Sequence, residues 1–538
     1  MGKKGLLAFM LLLLCVVAST ATIPSERVIV AADTTEMATV LVERYGGVVQ
    51  QAYTIVPAVA AELPAASLAA LMAQAGVEVH RDLPVDAAGG NNPTVFFPEV
   101  VGADEAWAQG YDGSGIVVAV VDSGITRNYK WARENTIARY DALDDGPSKE
   151  DAYGHGTYLT SIIGSRETDQ NGWTSVAPGV QFVDVRVLDE TGSGTYADIV
   201  EGLDWILANH ETLNIRIVNM SLVGVVDRPY FANIINQAVE RLWSEGVLVI
   251  AAAGNGGVTD ISDGNTPMTI SVPGNDPFVI TVGAFTDNFT PADTSDDYIT
   301  PFSGAGPTEM GFVKPDVVAP GAHMIAEMQN NSPWAKSGSA EHIKGHWWQS
   351  AGTSAATAVV TGVAALILDA NPDLTPDQVK YILMAEAAPA VYADETLAWS
   401  IFQQGAGRVW APSAIAAVDG VAAASVPSAN NGMVPGEPYV GPVVYRDGDF
   451  HFVDANGEDI LVDGGYGWAG GYGWAGGYGW AGGYGWAGGF FDEATGTTWT
   501  GGYGWAGSVA DWQDWPEDQV WQSGYGWAGG YGWAGGYG

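Results

Sequence analysis

The sequence predicts an α/β fold: a parallel sheet with helices on both faces, preceded by a small α+β domain and followed by a Gly/Tyr/Trp-rich repeat tail. Three observations carry this prediction. Five short, almost wholly apolar runs between residues 116 and 284 alternate with longer stretches of helical pattern, as expected of strands buried on both faces. Ahead of them, residues 26–86 read strand, helix, strand, strand, helix, strand, a ferredoxin-like order. After them, the hexamer GGYGWA recurs in register near the end of the chain.

In chain order, Lys3 and Lys4 precede an apolar stretch from Gly5 to Val17, and Ser19-Thr20-Ala21 supplies small residues behind it. That stretch is too short to span a bilayer and reads as a signal peptide over 1–21, so a secreted protein is expected. The single cysteine, Cys15, lies inside it, with Leu14 rather than a small residue before it. Neither lipidation nor disulfides are therefore expected, and stability must come from packing or bound ions. In the small domain, RVIVAA, VVQQAYTIV, AVAAEL and VEVHRD read as strands. Thr34 to Tyr45 reads as a helix closed by Gly46-Gly47, and PAASLAALMAQAG as a helix led by Pro64. An exposed linker, DAAGGNNPT, follows.

The domain over 95–420 takes its strands from IVVAVVD, VQFVDVRVL, IRIVNMSL, VLVIAAAGN and FVITVGA. Functional groups gather beyond the carboxyl ends of such strands, where Asp122 and Asn255 stand. Ser354 to Leu368 is apolar nearly all round, which predicts a helix buried on every side and ended before Pro372. No other later segment reads as a membrane helix, so no transmembrane anchor is expected. Residues 421–463 read as a linker with a hairpin at FHFVDANGEDILV. Over 464–538, GGYGWA units begin around Tyr466, Tyr472, Tyr478, Tyr484, Tyr503, Tyr525 and Tyr531. The period is even, so Tyr and Trp would share one face of an extended chain. A flexible low-complexity tail and a stacked β-solenoid or silk-like sheet both fit it.

Charge narrows the partners. With 62 acidic residues against 21 basic and a formal net charge of −41, neither a nucleic acid nor an anionic membrane is expected, since both need clustered Lys and Arg.

The chemistry starts at Ser354. It would sit in the first turn of its helix, where backbone N–H groups lack partners and can donate to an anion. A nucleophilic serine also needs a base, and a carboxylate to orient that base. His155 lies between two glycines in DAYGHGTYLTSIIG, and Asp122 closes a buried strand, where an unpaired carboxylate is costly. Singly, each has a plainer reading: a surface histidine, a capping aspartate, a small residue opening a helix.

Together they carry a resemblance. VVDSGI around Asp122, GHGT around His155 and GTSAAT around Ser354 resemble the subtilisin-like serine proteases, the subtilases, and stand in their Asp, His, Ser order. The stretches VAPGV, NMSL, AAAGNGG, KPDVVAPG and GAGRVWAPSA agree. Residues 26–86 resemble a subtilase propeptide, an intramolecular chaperone and inhibitor.

The resemblance implies roles. Ser354 would be the nucleophile, His155 the general base and then acid, Asp122 the group orienting His155, and Asn255 the side-chain donor to the oxyanion beside the Ser354 N–H. Ser221, Leu222 and Val223 would form one wall of the primary specificity pocket, and Ala252, Ala253 and Gly254 the other. Val223 departs from the family's usual Gly, Ala355 from its Met, and Ala358 and Val359 from its Pro-His. Neither wall carries an acidic residue, so an apolar or broad preference at the residue before the cut is expected. The implied protein is a secreted endopeptidase made as a zymogen and cut in the linker near 86–94. It would act on protein or peptide substrates, bind its own propeptide and need no catalytic cofactor. A structural calcium is left open with its site unassigned, the loop SRETDQNGWTS offering only Asp169 and Asn171. The tail would localise the enzyme or self-associate. The competing reading is a surface or matrix scaffold whose aromatic repeats bind glycans or each other.

Overall fold

A computed structural model describes residues 25–72, 74, 76–81, 93–143, 150–257, 269–391, 397–423, 430, 433–446, 449–453, 491–492 and 497–498. The signal segment, the linker over 86–92 and the GGYGWA units lie outside the described residues. The chain divides into two units, Met1–Gly90 and Asn91–Gly538.

In the first unit, β1 (Ser25–Ala31), α1 (Thr35–Arg44), β2 (Val48–Ala52), β3 (Ala58–Pro64), α2 (Ala65–Met72) and β4 (Glu78–Arg81) follow one another. The strands form an antiparallel sheet in the order β2-β3-β1-β4. Thr34 caps α1 by accepting from the Met37 N–H, and Gly46 leaves the helix at φ 78°, a left-handed step that glycine takes without strain. Alternate residues Val28 and Val30 of β1, with Val59, Ala61 and Leu63 of β3, point at Ala38, Leu41 and Val42 of α1. Pro64 closes β3 instead of opening the helix. Its fixed φ suits either place, and pairing with Ser25 keeps it in the strand.

The second unit opens with α3 (Phe97–Val100), α4 (Ala103–Ala108), β5 (Val117–Asp122), α5 (Lys130–Asn135), β6 (Thr136–Asp141) and α6 (His155–Gly164). A small hairpin of β7 (Thr168–Asp169) and β8 (Gly172–Trp173) leads to β9 (Gln181–Arg186), α7 (Tyr196–Leu213), β10 (Ile215–Met220), α8 (Ile234–Ser244) and β11 (Leu248–Ala252). Then come β12 (Ile280–Thr286), β13 (Tyr298–Ile299), β14 (Val317–Pro320), β15 (Met324–Glu327), α9 (Pro333–Lys336), β16 (Glu341–Lys344) and β17 (Trp347–Ser350). The unit closes with α10 (Thr353–Ala370), α11 (Pro376–Ala385), α12 (Ile401–Gln404), α13 (Ala411–Ala423) and the hairpin β18 (Val443–Arg446) and β19 (Asp449–Phe452).

The main sheet runs β6-β9-β5-β10-β11-β12 with every neighbour parallel, and β12 also pairs β14 in parallel and β13 antiparallel. The chain builds β5, β6 and β9 to one side and then β10, β11 and β12 to the other. The order therefore reverses between β5 and β10, and a crevice opens beyond their carboxyl ends. Every residue of β5, β11 and β12 is buried, which is why these strands are visible as apolar runs. The edge strand β6 is not: TIARYD pairs only with β9 and is half-exposed, so nothing forces it to be apolar.

Helix α10 crosses the core with every residue from Ala355 to Leu368 buried. Its threonines find partners: Thr357 Oγ1 donates to Thr353 O (2.7 Å) and Thr361 Oγ1 to Asn219 Oδ1 (2.9 Å). By length and composition this helix could cross a membrane, a property that the expectation of no transmembrane anchor passed over. Its burial within the unit accounts for that composition without a bilayer. The described part of the segment read as a linker packs into the same core. Phe452 stacks on Phe402 at 6.2 Å, and the Tyr439 N–H donates to Tyr230 Oη (2.9 Å).

Charge also lies in this core. Asp316, fully buried, receives Lys314 Nζ at 2.6 Å and Lys380 Nζ at 3.4 Å, and the Thr281 N–H at 2.7 Å. Removing its carboxylate takes the paired anion from two buried lysines, Lys314 and Lys380. Asp316→Ala is expected to lower the unfolding free energy in denaturant by about 3–5 kcal/mol. Arg241→Ala, which breaks an exposed i,i+4 pair with Glu245, should change it by less than about 1 kcal/mol.

Candidate active site

Asp122 ends β5 at the crevice and is fully buried. Its Oδ1 accepts from the Ser123 N–H (2.7 Å), and both its oxygens lie 2.9 Å from His155 Nδ1. His155 is the first residue of α6. The glycines around it are required by close packing. A Cβ on Gly156 would meet Gly124 O at 2.2 Å, and one on Gly154, at φ 112°, would meet Ser332 Oγ at 2.5 Å. Helix α6 thus sits directly on the turn after β5, and the imidazole falls onto the carboxylate.

A second buried aspartate holds this loop. Asp151 accepts from Ser123 Oγ (2.8 Å), Gly154 N (2.7 Å) and Thr157 N (2.8 Å), and Ser123 Oγ in turn accepts from Gly156 N (3.0 Å). Burial pushes the Asp151 carboxyl above its ordinary range despite these donors. Neither Asp151 nor Ser123 was singled out from sequence; the only local signal was an acidic residue four places before His155.

Burial, the largest single influence on His155, disfavours its charged form. The charge and hydrogen bond of Asp122, aided by the charge of Asp151, outweigh it, and the pKa rises from its ordinary value. Because Nδ1 faces a carboxylate, the neutral ring carries its proton there and keeps Nε2 as an acceptor.

Ser354 lies in the first turn of α10, at the other side of the crevice. Its hydroxyl donates to Ser221 O (3.1 Å), while Ser221 Oγ donates to Ser354 O (2.9 Å). This reciprocal pair ties the start of α10 to the end of β10. Among the described residues no hydrogen bond joins Ser354 Oγ to His155. Both side chains nevertheless line one cleft of about 340 Å³, which includes space open to solvent. Asn255, three residues beyond β11, accepts at Oδ1 from Thr353 N (2.9 Å) and Thr353 Oγ1 (3.0 Å). Two donors on one atom identify it as oxygen, so Nδ2 is the donor end, with no hydrogen-bond partner among the described residues. That nitrogen lies beside Gly352, a residue of the cleft.

None of Ser221, Leu222, Val223, Ala252, Ala253 and Gly254 lines that cleft. The two stretches are joined to each other through residues 271–272. Gly224 pairs with Val272 in both directions, at 2.7 and 3.1 Å, and the Ser271 N–H donates to Ala253 O at 3.1 Å. This connection spans about 50 residues and left no local signal. Of the two candidate calcium ligands, Asp169 spends its oxygens on the Val95 N–H (2.6 Å) and the Asn171 N–H (2.7 Å). Among the described residues, no group of three or more His, Cys, Asp or Glu side chains could hold a metal ion.

Comparison with known proteins gives one answer. A profile of the subtilase family matches residues 113–425. Serine protease AprX of Bacillus subtilis (strain 168) is 38% identical over 277 residues, covering 50% of this chain and 61% of that protein. Subtilisin DY of Bacillus licheniformis is 30% identical over 288 residues, covering 54% of this chain and 89% of that protein. Subtilisin E of Bacillus subtilis (strain 168) is 33% identical over 273 residues, covering 51% and 60%. The chain thus spans about three-fifths of the length of AprX and of subtilisin E.

The pairing of His155 with Asp122 predicts a titration. Followed by NMR, the His155 ring should lose its proton with a midpoint above 6.5. Asp122→Asn removes the charge that favours the imidazolium, so the midpoint should fall. A wild-type midpoint below 6.5 would contradict the ion pair.

Proposed function

The chain belongs to the subtilase family, and from that membership and the site geometry we propose that it is an exported serine endopeptidase made as a zymogen. The observation that carries the proposal is the convergence of three groups. A buried carboxylate holds Nδ1 of His155, and His155 and Ser354 face one cleft.

In this reading, Ser354 turns from Ser221 O toward His155 Nε2 when substrate fills the cleft. Hydrogen bonds of this kind often tighten only in the substrate complex. Oγ attacks the scissile carbonyl as Nε2 takes its proton, and the imidazolium gains from Asp122 the stabilisation that raises its pKa. The oxyanion meets two donors. One is the Ser354 N–H in the first turn of α10, where the helix supplies no partner; the other is Asn255 Nδ2, aimed by Thr353. The imidazolium then protonates the leaving amine, and water releases the acyl group by the same steps in reverse.

Residues 26–86 act as the propeptide, and Ser354 cuts behind them in the linker near 86–94. The stretches 221–224, 252–254 and 271–272 contain no acidic residue, which favours an apolar or broad choice at the residue before the cut. The repeat tail serves localisation or self-association. A scaffold whose proteolysis is incidental is the weaker reading, because it leaves the close packing around His155 without a purpose.

Two outcomes test this. Secreted wild type is expected to begin near residues 87–95 by intact mass and N-terminal sequencing, and Ser354→Ala to retain the segment. Asn255→Ala should lower kcat by about 10²–10³, a magnitude known from a subtilisin, with a smaller change in KM. Equal processing of both proteins, or a change in KM alone, would count against the assignment.

A further inference from the structure

The two sides of the crevice are also fastened together well away from the reacting groups. His155 opens α6, while β17 leads through Gly352 to Ser354 and pairs antiparallel with β15. In the first half of α6, Tyr158 Oη donates to Met324 O and accepts from Ser350 N (3.2 Å). At its far end, Ser161 Oγ accepts from Glu327 N (2.9 Å), and the Ser165 hydroxyl donates to Glu327 Oε2. Met324 lies opposite Ser350, and Glu327 opposite Trp347, in the register of the two strands. The strand pair is therefore fixed along the length of α6, and Glu327 supplies the outer attachment.

The side chain of Glu327 is 1% exposed, and its cation is a histidine. His346 Nε2 lies 3.2 Å from Glu327 Oε1, and among the described residues no Lys or Arg pairs with that carboxylate. Trp347 stacks on the half-exposed imidazole at 5.5 Å, and the Tyr129 ring meets it at 5.1 Å. The Met328 N–H donates to His346 O (2.9 Å), which continues the pairing of the strands beyond Glu327. The hydrogen bond of Glu327 raises the His346 pKa above its ordinary value of 6.5 against the effect of burial, and the charges of Glu327 and Glu167 add to it. Burial pushes the Tyr129 hydroxyl up as well, aided by the charges of Glu327 and Asp151, so it stays neutral wherever His346 titrates. A histidine that titrates higher in the folded chain than in the unfolded one strengthens the fold in acid. Its contribution is full below about 6.5 and is lost as pH rises through the folded value.

On the peptidase reading given above, the placement of His155 against Ser354 decides the rate, and among the described residues no hydrogen bond between them sets it. We propose that Glu327 is a positioning residue for the reaction: it fixes the far end of α6 against the strand that delivers Ser354, and the proton on His346 tightens that attachment. Loss of the proton leaves the Ser165 hydroxyl on Glu327, so the joint loosens without breaking.

Two variants of the full chain read this at two pH values. Glu327→Gln keeps an acceptor for Ser165 and removes the charge, whereas Glu327→Ala removes both. With a soluble peptide anilide, the kcat of wild type should exceed that of Glu327→Gln by about fivefold at pH 6 and by less than about twofold at pH 9. In a His346→Gln background the same comparison should no longer vary with pH. Glu327→Ala should lower kcat by about tenfold at both pH values, with a smaller change in KM. In Ser354→Ala chains, Glu327→Gln should lower Tm by about 2–4 °C at pH 5.5 and leave it undiminished at pH 9. A kcat ratio of wild type to Glu327→Gln that is equal at both pH values would overturn the proposal. So would wild-type kcat in Glu327→Ala, or an equal loss of Tm at both pH values. A wild type that cleaves no anilide would instead refute the peptidase reading, and any role of Glu327 in the reaction with it; the melting comparison needs no turnover and tests the ion pair by itself.

Discussion

A fully buried carboxylate at the end of the central strand is the constraint from which the site follows. Asp122 lies where water cannot reach it, and an ionised group there persists only if donors replace its hydration. The Ser123 N–H and His155 Nδ1 are those donors. Meeting them requires α6 to begin at His155 and to rest on the turn at Gly124, which only glycine at position 156 permits. Ser123 and Asp151 then bind the two loops together. The imidazole is oriented by packing that the strand end makes necessary.

The opposite side of the crevice is built from apolar burial. Helix α10 has no exposed face along most of its length, so it is a fixed platform and its first turn is placed with the precision of the core. Its start is anchored at two points, by the reciprocal serine pair with Ser221 and by Thr353 on Asn255. Both anchors belong to segments that follow strands on the far side of the order reversal, β10 and β11. The reversal between β5 and β10 thus brings together groups more than 200 residues apart in the chain.

What could be read from the sequence follows from where each residue sits. Strands buried on both faces must be apolar, so β5, β10, β11 and β12 stood out, and the edge strand β6 did not. Asp122, His155 and Ser354 lie in short stretches whose small residues are imposed by close contacts, and such stretches are legible without a structure. Asp151 and Ser123 are ordinary loop residues until the fold brings them together. The bridge through residues 271–272 is non-local in the same way. Helix α10 has the composition of a membrane span because a fully buried helix and a lipid-facing one obey the same rule. The segment 421–463 looked like a linker because of its Pro, Gly and Asn, yet Tyr439, Val443 and Phe452 within it pack in the core. Trp334 was invisible because its ring contacts with Tyr153, His155 and Tyr158 arise only when the fold brings α9 against the start of α6.

The central claim is that Ser354 is a nucleophile activated by a histidine which Asp122 holds in place. Reaction of the folded protein with a sulfonyl fluoride, followed by peptide mass analysis, tests it most directly. One adduct per chain is expected, on the peptide that contains Ser354, and none in His155→Ala treated in the same way. Labelling spread over many serines, or labelling of Ser354 undiminished in His155→Ala, would contradict the account.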